Sequence, residues 1–163
     1  MTHTVRLPKI IFFDIDGTLV SFKTHNIPQS TLDAVHRIRK KGVKVWIATG
    51  RPVPFINNLG TLEYDGIMSV NGGHCLMADG TVIYSTPVCK DDVKRMTEEQ
   101  EKTGMAVVYA GNKEAVLTAP KGIPSAVKEV FNLLDISLPP LCPCTQALDM
   151  DVMQVIAFFP KSQ

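Results

Sequence analysis

The alternation of apolar and polar residues in the first half of the chain predicts a parallel sheet. A helix is expected from a cap at Ser30 or Thr31 to about residue 41, and Gly42 follows as its stop. A strand, a helix and a strand within about thirty residues form a βαβ unit with parallel strands. Residues 53–62 are expected to supply a second crossover. Three apolar runs predict the strands, and the first of them is typical of a strand buried on both faces: residues 10–13, 43–48 and 67–70.

The second half of the chain has a different pattern, which predicts antiparallel strands and two helices. Asp79-Gly80 suits a tight turn and predicts a hairpin of residues 75–77 and 82–84. The remaining predicted elements are a helix over 90–102, strands over 106–109 and 115–118, a helix over 124–134 and a strand over 152–159. We therefore predict two domains, an α/β domain over residues 1–82 and an α+β domain over residues 83–163.

Composition and charge exclude several classes of protein. The 163 residues carry 17 Lys and Arg against 16 Asp and Glu, so a strongly basic nucleic-acid binder is excluded. A hydrophobic content of 45% excludes a disordered chain. No apolar run approaches the roughly 18 residues of a membrane span. The four cysteines lack the spacing of a zinc or redox motif and are expected to be free thiols, which favours a soluble, cytoplasmic protein.

Two carboxylates follow the first predicted strand. Asp14 and Asp16 lie at its carboxyl end, where ligands bind in open α/β sheets, and Gly17 lets the chain bend directly after them. Like charges at this spacing need a cation or a proton between them. The spacing alone is equally compatible with a solvated turn, so further residues have to decide.

A second polar group follows the second strand. Thr49 offers a hydroxyl, Gly50 a main-chain N–H that a ligand can approach closely, and Arg51 a bidentate charge, which together would suit a phosphate group. The alternative is a helix cap followed by a surface arginine. Because both groups end neighbouring strands of one sheet, we expect them to converge.

These residues resemble the motifs of the haloacid dehalogenase-like (HAD) superfamily. Its first motif is a hydrophobic strand followed by DxDGT, and its second is a strand ending in Thr or Ser. The stretches DIDGTL, VWIATGR and a strand ending in Asn71-Gly72-Gly73 further resemble the Cof-type phosphatases, which carry a type IIB cap. The resemblance implies a Rossmann-like, parallel-sheet core, here partial, into which an α+β cap domain is inserted.

The resemblance also implies roles for individual residues. Asp14 would be the nucleophile that forms an aspartyl-phosphate, and Asp16 the general acid and base. The Asp14 carboxylate and the Asp16 carbonyl oxygen would bind Mg²⁺. The phosphoryl group and the rest of the substrate would be bound by four residues: Thr49, Gly50, Arg51 and Asn71.

The third and fourth motifs of this superfamily, a lysine and an acidic pair that follow the cap, find no match in the chain. Lys161 has no surrounding residues that match the lysine motif, and it lies beyond the residues whose structure is described below. We expect the chain to be the amino-terminal part of a phosphatase, inactive or nearly so by itself. It could instead be a phosphate-binding or regulatory module without turnover, or a second chain or oligomer could complete the site.

The expected function is a Mg²⁺-dependent phosphatase that acts on small phosphorylated metabolites such as sugar phosphates. A phosphotransferase that uses the same aspartyl-phosphate is the nearest alternative, and sequence does not separate the two. A receiver-like phosphoacceptor domain also places Asp at strand ends, but it fits less well because such domains have no cap.

Overall fold

The structure, a computed structural model, describes residues 7–159, which divide into two compact units. The first unit contains the described residues up to Gly50 together with Asn58–Tyr84. The second contains Arg51–Asn57 and the described residues from Ser85 onward. Residues 51–57, which the sequence analysis placed in the core domain, thus pack within the second unit.

The first unit is built on one five-stranded sheet in the order β1-β2-β3-β4-β5. β1 pairs in parallel with β2, and β2 pairs in parallel with β3, as predicted. The predicted hairpin, β4 and β5, continues the same sheet, and β4 runs antiparallel to β3. The strands are β1 (Ile10–Phe13), β2 (Lys44–Ala48), β3 (Gly66–Ser69), β4 (His74–Met77) and β5 (Val82–Ser85).

Helix α1 (Gln29–Lys40) connects β1 to β2 and buries Val35. It begins earlier than predicted and without the expected side-chain cap from Ser30 or Thr31. Pro28 holds an extended conformation there, and its carbonyl oxygen accepts hydrogen bonds from the N–H groups of Thr31 and Leu32. The fixed φ angle of proline prepares the chain for the first helical turn. The helix ends as predicted before Gly42, which has φ +83°.

The prediction that β1 is buried on both faces was wrong. The side chains of Ile10 and Phe12 are 39% and 48% exposed. Among the described residues, β1 has one strand neighbour, β2, and Phe12 contacts the ring of Trp46 with the centroids 6.3 Å apart. Ile11 and Phe13, on the opposite face, are half-buried. Within residues 7–159, β1 therefore has an unpaired outer edge and one incompletely covered face, whereas a parallel strand is normally covered on both faces.

The second crossover, predicted over residues 53–62, contains no α-helix. A short 3₁₀ turn, Val53–Phe55, is its only helical segment. Pro52 and Pro54 lack the N–H group that a helix would use, and each disfavours helical geometry in the residue before it. The connection from β2 to β3 is therefore largely irregular.

Asp65 ties the start of the parallel sheet to α1. Its carboxylate accepts hydrogen bonds from the Val45 N–H at 2.9 Å, from Arg39 at 3.1 Å and from Lys44 at 3.1 Å. Partial burial raises the pKa of Asp65, but the Val45 hydrogen bond and the charges of Lys44 and Arg39 outweigh it and leave the pKa below its ordinary value. The ionised form is therefore the one that stabilises this unit.

Asp65→Asn is expected to lower the free energy of unfolding at pH 7 by about 1–2 kcal/mol, because two charge-assisted hydrogen bonds are lost. A carboxyl with a lowered pKa stabilises fully above its unfolded-state value and loses that contribution as the pH falls below it. The wild-type chain should thus lose stability as the pH falls below about 4. Urea unfolding across this range should show a flatter profile for Asp65→Asn. An unchanged profile, matching that of the exposed-site control Asp33→Asn, would contradict this role.

The second unit contains a three-stranded antiparallel sheet in the order β7-β6-β8 and two helices. The antiparallel α+β character predicted for the second half is confirmed in this unit. A 3₁₀ turn over Cys144–Asp149 precedes the last strand. The elements are α2 (Lys90–Thr103), β6 (Ala106–Gly111), β7 (Ala115–Thr118), α3 (Ser125–Leu133) and β8 (Val152–Phe158).

The central strand β6 is buried along its whole length because both faces of the sheet are covered. One face packs around Phe55, Val127 and Phe131, and the Phe55 and Phe131 rings meet edge to face at 5.4 Å. The other face packs around Val93 of α2 and Met150. The unit is therefore a three-layer sandwich with its own core.

All four cysteines lie within the described residues and are free. Among residues 7–159, none of the helices combines the length and apolarity that crossing a bilayer requires. The cytoplasmic location stays a prediction.

Candidate active site

The chain bends sharply just after β1 and presents two carboxylates. Gly17 has φ +77°, and its N–H donates to the Val20 carbonyl oxygen at 2.9 Å. Ile15 is fully buried, whereas Asp14 is exposed and Asp16 is half-buried. Ile15 anchors this turn in the core, while Asp14 and Asp16 on either side of it keep access to solvent.

The residues after β2 form a second part of the site. The Thr49 N–H donates to the Met68 carbonyl oxygen at 2.9 Å, and the Thr49 carbonyl oxygen accepts the Asn71 N–H at 3.1 Å. Thr49 is buried and Gly50 is exposed. A β-carbon at Gly50 would lie 3.1 Å from Asn71 Oδ1, closer than an ordinary contact. Glycine therefore leaves room for the Asn71 amide at this position.

These groups meet at one edge of the sheet. Asp14 follows β1, Thr49 follows β2 and Asn71 comes shortly after β3, and the three strands are parallel neighbours. Neighbouring strands lie about 4.8 Å apart. The structure thus brings together five of the residues predicted for the site: Asp14, Asp16, Thr49, Gly50 and Asn71.

Arg51 is placed differently from these five residues. It is 6% exposed and packs within the second unit, where it donates hydrogen bonds to the Phe55 carbonyl oxygen at 2.8 Å and to the Leu134 carbonyl oxygen at 3.0 Å. Leu134 is the C-cap of α3, and carbonyl groups at a helix end have no partner within the helix. A cation there also suits the helix dipole. At least two of the five N–H groups of this guanidinium thus donate hydrogen bonds to main-chain carbonyl oxygens.

Arg51→Ala is expected to lower the free energy of unfolding by about 2–3 kcal/mol, because one buried and one partly buried carbonyl group lose a charged donor. Arg51→Lys should lose less, because it keeps a charged donor, but it should not match arginine, because an ammonium group cannot reproduce the planar fork. Urea unfolding and titration with inorganic phosphate, with the exposed-site variant Arg95→Ala as control, would measure both effects. Unchanged stability with weakened phosphate affinity would favour the phosphate-binding role predicted from sequence instead.

The donor set at Asp14 and Asp16 fits a magnesium ion in part. A carboxylate and a main-chain carbonyl are hard oxygen ligands, and Mg²⁺ commonly binds through one or two carboxylates while keeping water molecules. No group of three or more His, Cys, Asp and Glu side chains lies together within residues 7–159. The residues present could therefore supply two positions of an octahedral set.

A cavity beside Asp16 was not anticipated from the sequence. It has a volume of about 380 Å³ and is lined by the turn after Asp16 and by the start of α1, including Thr18, Phe22 and Lys23. The Phe22 side chain is 48% exposed. The polar residues after the DxDGT motif indicated a surface loop in the sequence. They did not indicate that this loop would form a cavity.

The chain matches a family model described as haloacid dehalogenase-like hydrolase over residues 11–137. YkrA of Bacillus subtilis (strain 168), named as a phosphatase, is 34% identical over 103 residues, which are 62% of this chain and 39% of YkrA. The HMP-PP phosphatase of Yersinia pestis (strain Pestoides F) is 32% identical over 80 residues, which are 47% of this chain and 28% of that protein.

Among solved structures, the HAD subclass IIB sugar phosphatase BT4131 is 36% identical to this chain, with a TM-score of 0.80. The match covers 93% of this chain and 58% of that one, so this chain spans a little over half of its structural relative. The chain belongs to the haloacid dehalogenase-like hydrolases, and its fold is similar to part of a subclass IIB sugar phosphatase.

Proposed function

We propose that the site belongs to a Mg²⁺-dependent phosphatase that hydrolyses small phosphorylated metabolites such as sugar phosphates. The observation that carries the proposal is the convergence of Asp14 and Asp16, after β1, with Thr49 and Gly50, after β2. The sugar phosphatase and the HMP-PP phosphatase among the relatives support a small phosphorylated substrate. They act on different compounds by name, so the individual substrate is left open.

In the first step, a carboxylate oxygen of Asp14 attacks phosphorus, and the bond between phosphorus and the leaving oxygen breaks. Asp16 donates a proton to that oxygen, and an aspartyl-phosphate remains on Asp14. In the second step, Asp16 takes a proton from water, whose oxygen attacks phosphorus and releases phosphate and the Asp14 carboxylate. A bound Mg²⁺ ion would offset the repulsion between carboxylate and phosphate.

The substrate phosphate would be held at the ends of β2 and β3. The Thr49 hydroxyl, the Gly50 N–H and the Asn71 amide are the groups that we assign to its oxygens. Hydrogen-bond donors fixed in place before the reaction stabilise developing charge without reorganising. Arg51 has a phosphate-binding role only if its guanidinium can serve a phosphate oxygen in addition to the carbonyl groups of Phe55 and Leu134.

Rapid turnover needs further charged groups, and we infer that they approach along the outer edge of β1, where no strand of the described part of the chain pairs. A strand added there would end beside Asp14, because parallel strands end at the same edge of a sheet. The exposed side chains of Ile10 and Phe12 would be covered at the same time. Such groups could come from a second chain or from a longer form of this one.

A phosphate-binding module without turnover is the second candidate. It is favoured by the lack of a third acidic or histidine side chain near Asp14 and Asp16 within the described residues. A phosphotransferase would share every group named above and would differ in the acceptor that replaces water.

Hydrolysis of p-nitrophenyl phosphate by this chain, at high protein concentration with and without Mg²⁺, tests the proposal. We expect slow turnover that requires Mg²⁺, together with Mg²⁺-dependent binding of inorganic phosphate in calorimetry. Binding without any turnover would support the module instead. A folded protein that neither binds phosphate nor releases p-nitrophenol would refute both.

A further inference from the structure

The turn after β3 contains three consecutive residues in the left-handed region. Val70 has φ +52°, Asn71 has φ +53° and Gly72 has φ +95°. Glycine adopts this region freely and asparagine tolerates it, but a β-branched residue such as valine does so at a cost in free energy. A strained residue of this kind persists only where the surrounding structure holds it, and such residues cluster at functional sites.

Main-chain hydrogen bonds hold the turn in place on both sides of Val70. The Thr49 N–H donates to the Met68 carbonyl oxygen before the turn, and the Asn71 N–H donates to the Thr49 carbonyl oxygen within it. The Gly73 N–H closes the turn on the Val70 carbonyl oxygen at 3.0 Å. Thr49 is thus bonded to residues before and after Val70, which fixes the turn to the end of β2.

The consequence of this geometry is the position of the Asn71 side chain. Asn71 is exposed, yet its Oδ1 lies so close to Gly50 that a β-carbon there would be 3.1 Å away. The amide therefore stands at the surface, directly beside the main chain of Gly50. The sequence suggested that β3 continues as an extended strand through residue 70. In that conformation the hydrogen bond from the Asn71 N–H to the Thr49 carbonyl oxygen would not form.

We propose that Val70 is a positioning residue whose left-handed conformation holds the Asn71 amide beside Gly50, ready to bind an oxygen of a phosphate group. This inference rests on the proposed function, since it assigns Thr49 and Gly50 to the same phosphate. The strained turn fixes the amide before the ligand arrives, which reduces the entropy lost on binding. The strained turn thus lowers the local stability and raises the affinity for phosphate.

Val70→Gly separates these two quantities. Glycine removes the side chain that opposes the left-handed region, and it also lets the turn leave that region. We expect the thermal midpoint to stay the same or rise, while the affinity for inorganic phosphate in the presence of Mg²⁺ falls about tenfold. A role confined to structure would not lower phosphate affinity while the thermal midpoint is kept or raised.

Two further variants make the measurement specific. His25 also has a left-handed backbone, with φ +52°, so His25→Gly places glycine in the same backbone region, relieves less strain than Val70→Gly because histidine is not β-branched, and should leave phosphate affinity unchanged. Asn71→Ala should weaken phosphate binding as much as Val70→Gly does, and the double variant should be no weaker than either, because both act through one amide.

Phosphate binding that survives Val70→Gly, or losses that add in the double variant, would overturn the inference while leaving the proposed function intact. If the wild-type chain does not bind phosphate with Mg²⁺, the inference and the proposed function fail together.

Discussion

Asp14→Asn is expected to abolish the Mg²⁺-dependent release of p-nitrophenol from p-nitrophenyl phosphate by this chain. An amide oxygen is a poor nucleophile and cannot replace the carboxylate that attacks phosphorus, so the rate should fall at least about 1000-fold, to that of the buffer. The same change replaces the charged oxygen ligand that we assign to Mg²⁺ by a neutral amide oxygen, which should weaken the binding of the ion. Absorbance at high protein concentration measures the rate, and intact mass shows whether a phosphoryl group is attached to the chain.

The matched control for this prediction is Asp149→Asn, since Asp149 is an exposed carboxylate in the second unit. It should leave the rate and the thermal midpoint unchanged. Asp14 is itself exposed, so its replacement should not unfold the chain. Turnover retained in a folded Asp14→Asn protein, or a phosphoryl group still attached, would remove Asp14 from the role of nucleophile.

Gly66→Ala is expected to disrupt the first unit, with a loss of about 3 kcal/mol or more in the free energy of unfolding. A β-carbon at Gly66 would lie 2.6 Å from the Trp46 ring and 2.8 Å from the Leu76 carbonyl oxygen. Gly66 pairs with Trp46 of β2 and with Met77 of β4, so the clash falls in the middle of the sheet. Urea unfolding, followed by the fluorescence of the single tryptophan, would measure the loss.

Gly60→Ala provides the comparison, because a β-carbon there meets nothing within 4 Å. Its φ of +53° makes alanine unfavourable, so a smaller loss of about 1 kcal/mol is expected. Adding Trp46→Leu to Gly66→Ala should recover only part of the loss, since the Leu76 carbonyl oxygen still blocks the β-carbon. Equal stability of the Gly66→Ala and Gly60→Ala proteins would show that the sheet adjusts to the extra atom.

Local patterns were sufficient for most of the secondary structure. Apolar runs located β1, β2 and β3, Asp79-Gly80 located the hairpin, and Gly42 located the end of α1. Residues 53–62 connect β2 to β3 as predicted, and prolines on either side of Val53 restrict the helical part of this connection to one 3₁₀ turn. The error concerned the burial of β1. The apolar run of β1 suggested full burial, but burial also depends on which neighbours are present.

The candidate site followed from the sequence because chemistry-bearing residues stand at strand ends. Asp14 and Thr49 each follow an apolar strand, and parallel strands bring their carboxyl ends to one edge. The conformation of Val70 had no sequence signal, since valine is an ordinary strand residue and the run of residues 67–70 predicted continued extension. The partners of Arg51 could not be predicted either, because Leu134 lies 83 residues further along the chain.

The sequence by itself therefore determined the order of the elements, the parallel character of the first three strands and the carboxylates and hydroxyl that end them. These features depend on periodicity and residue type, which are local. Only the tertiary structure decided that residues 51–57 pack with the second unit, that Arg51 binds carbonyl groups and that Asn71 stands beside Gly50. Each of these depends on contacts between distant segments, which no local pattern encodes.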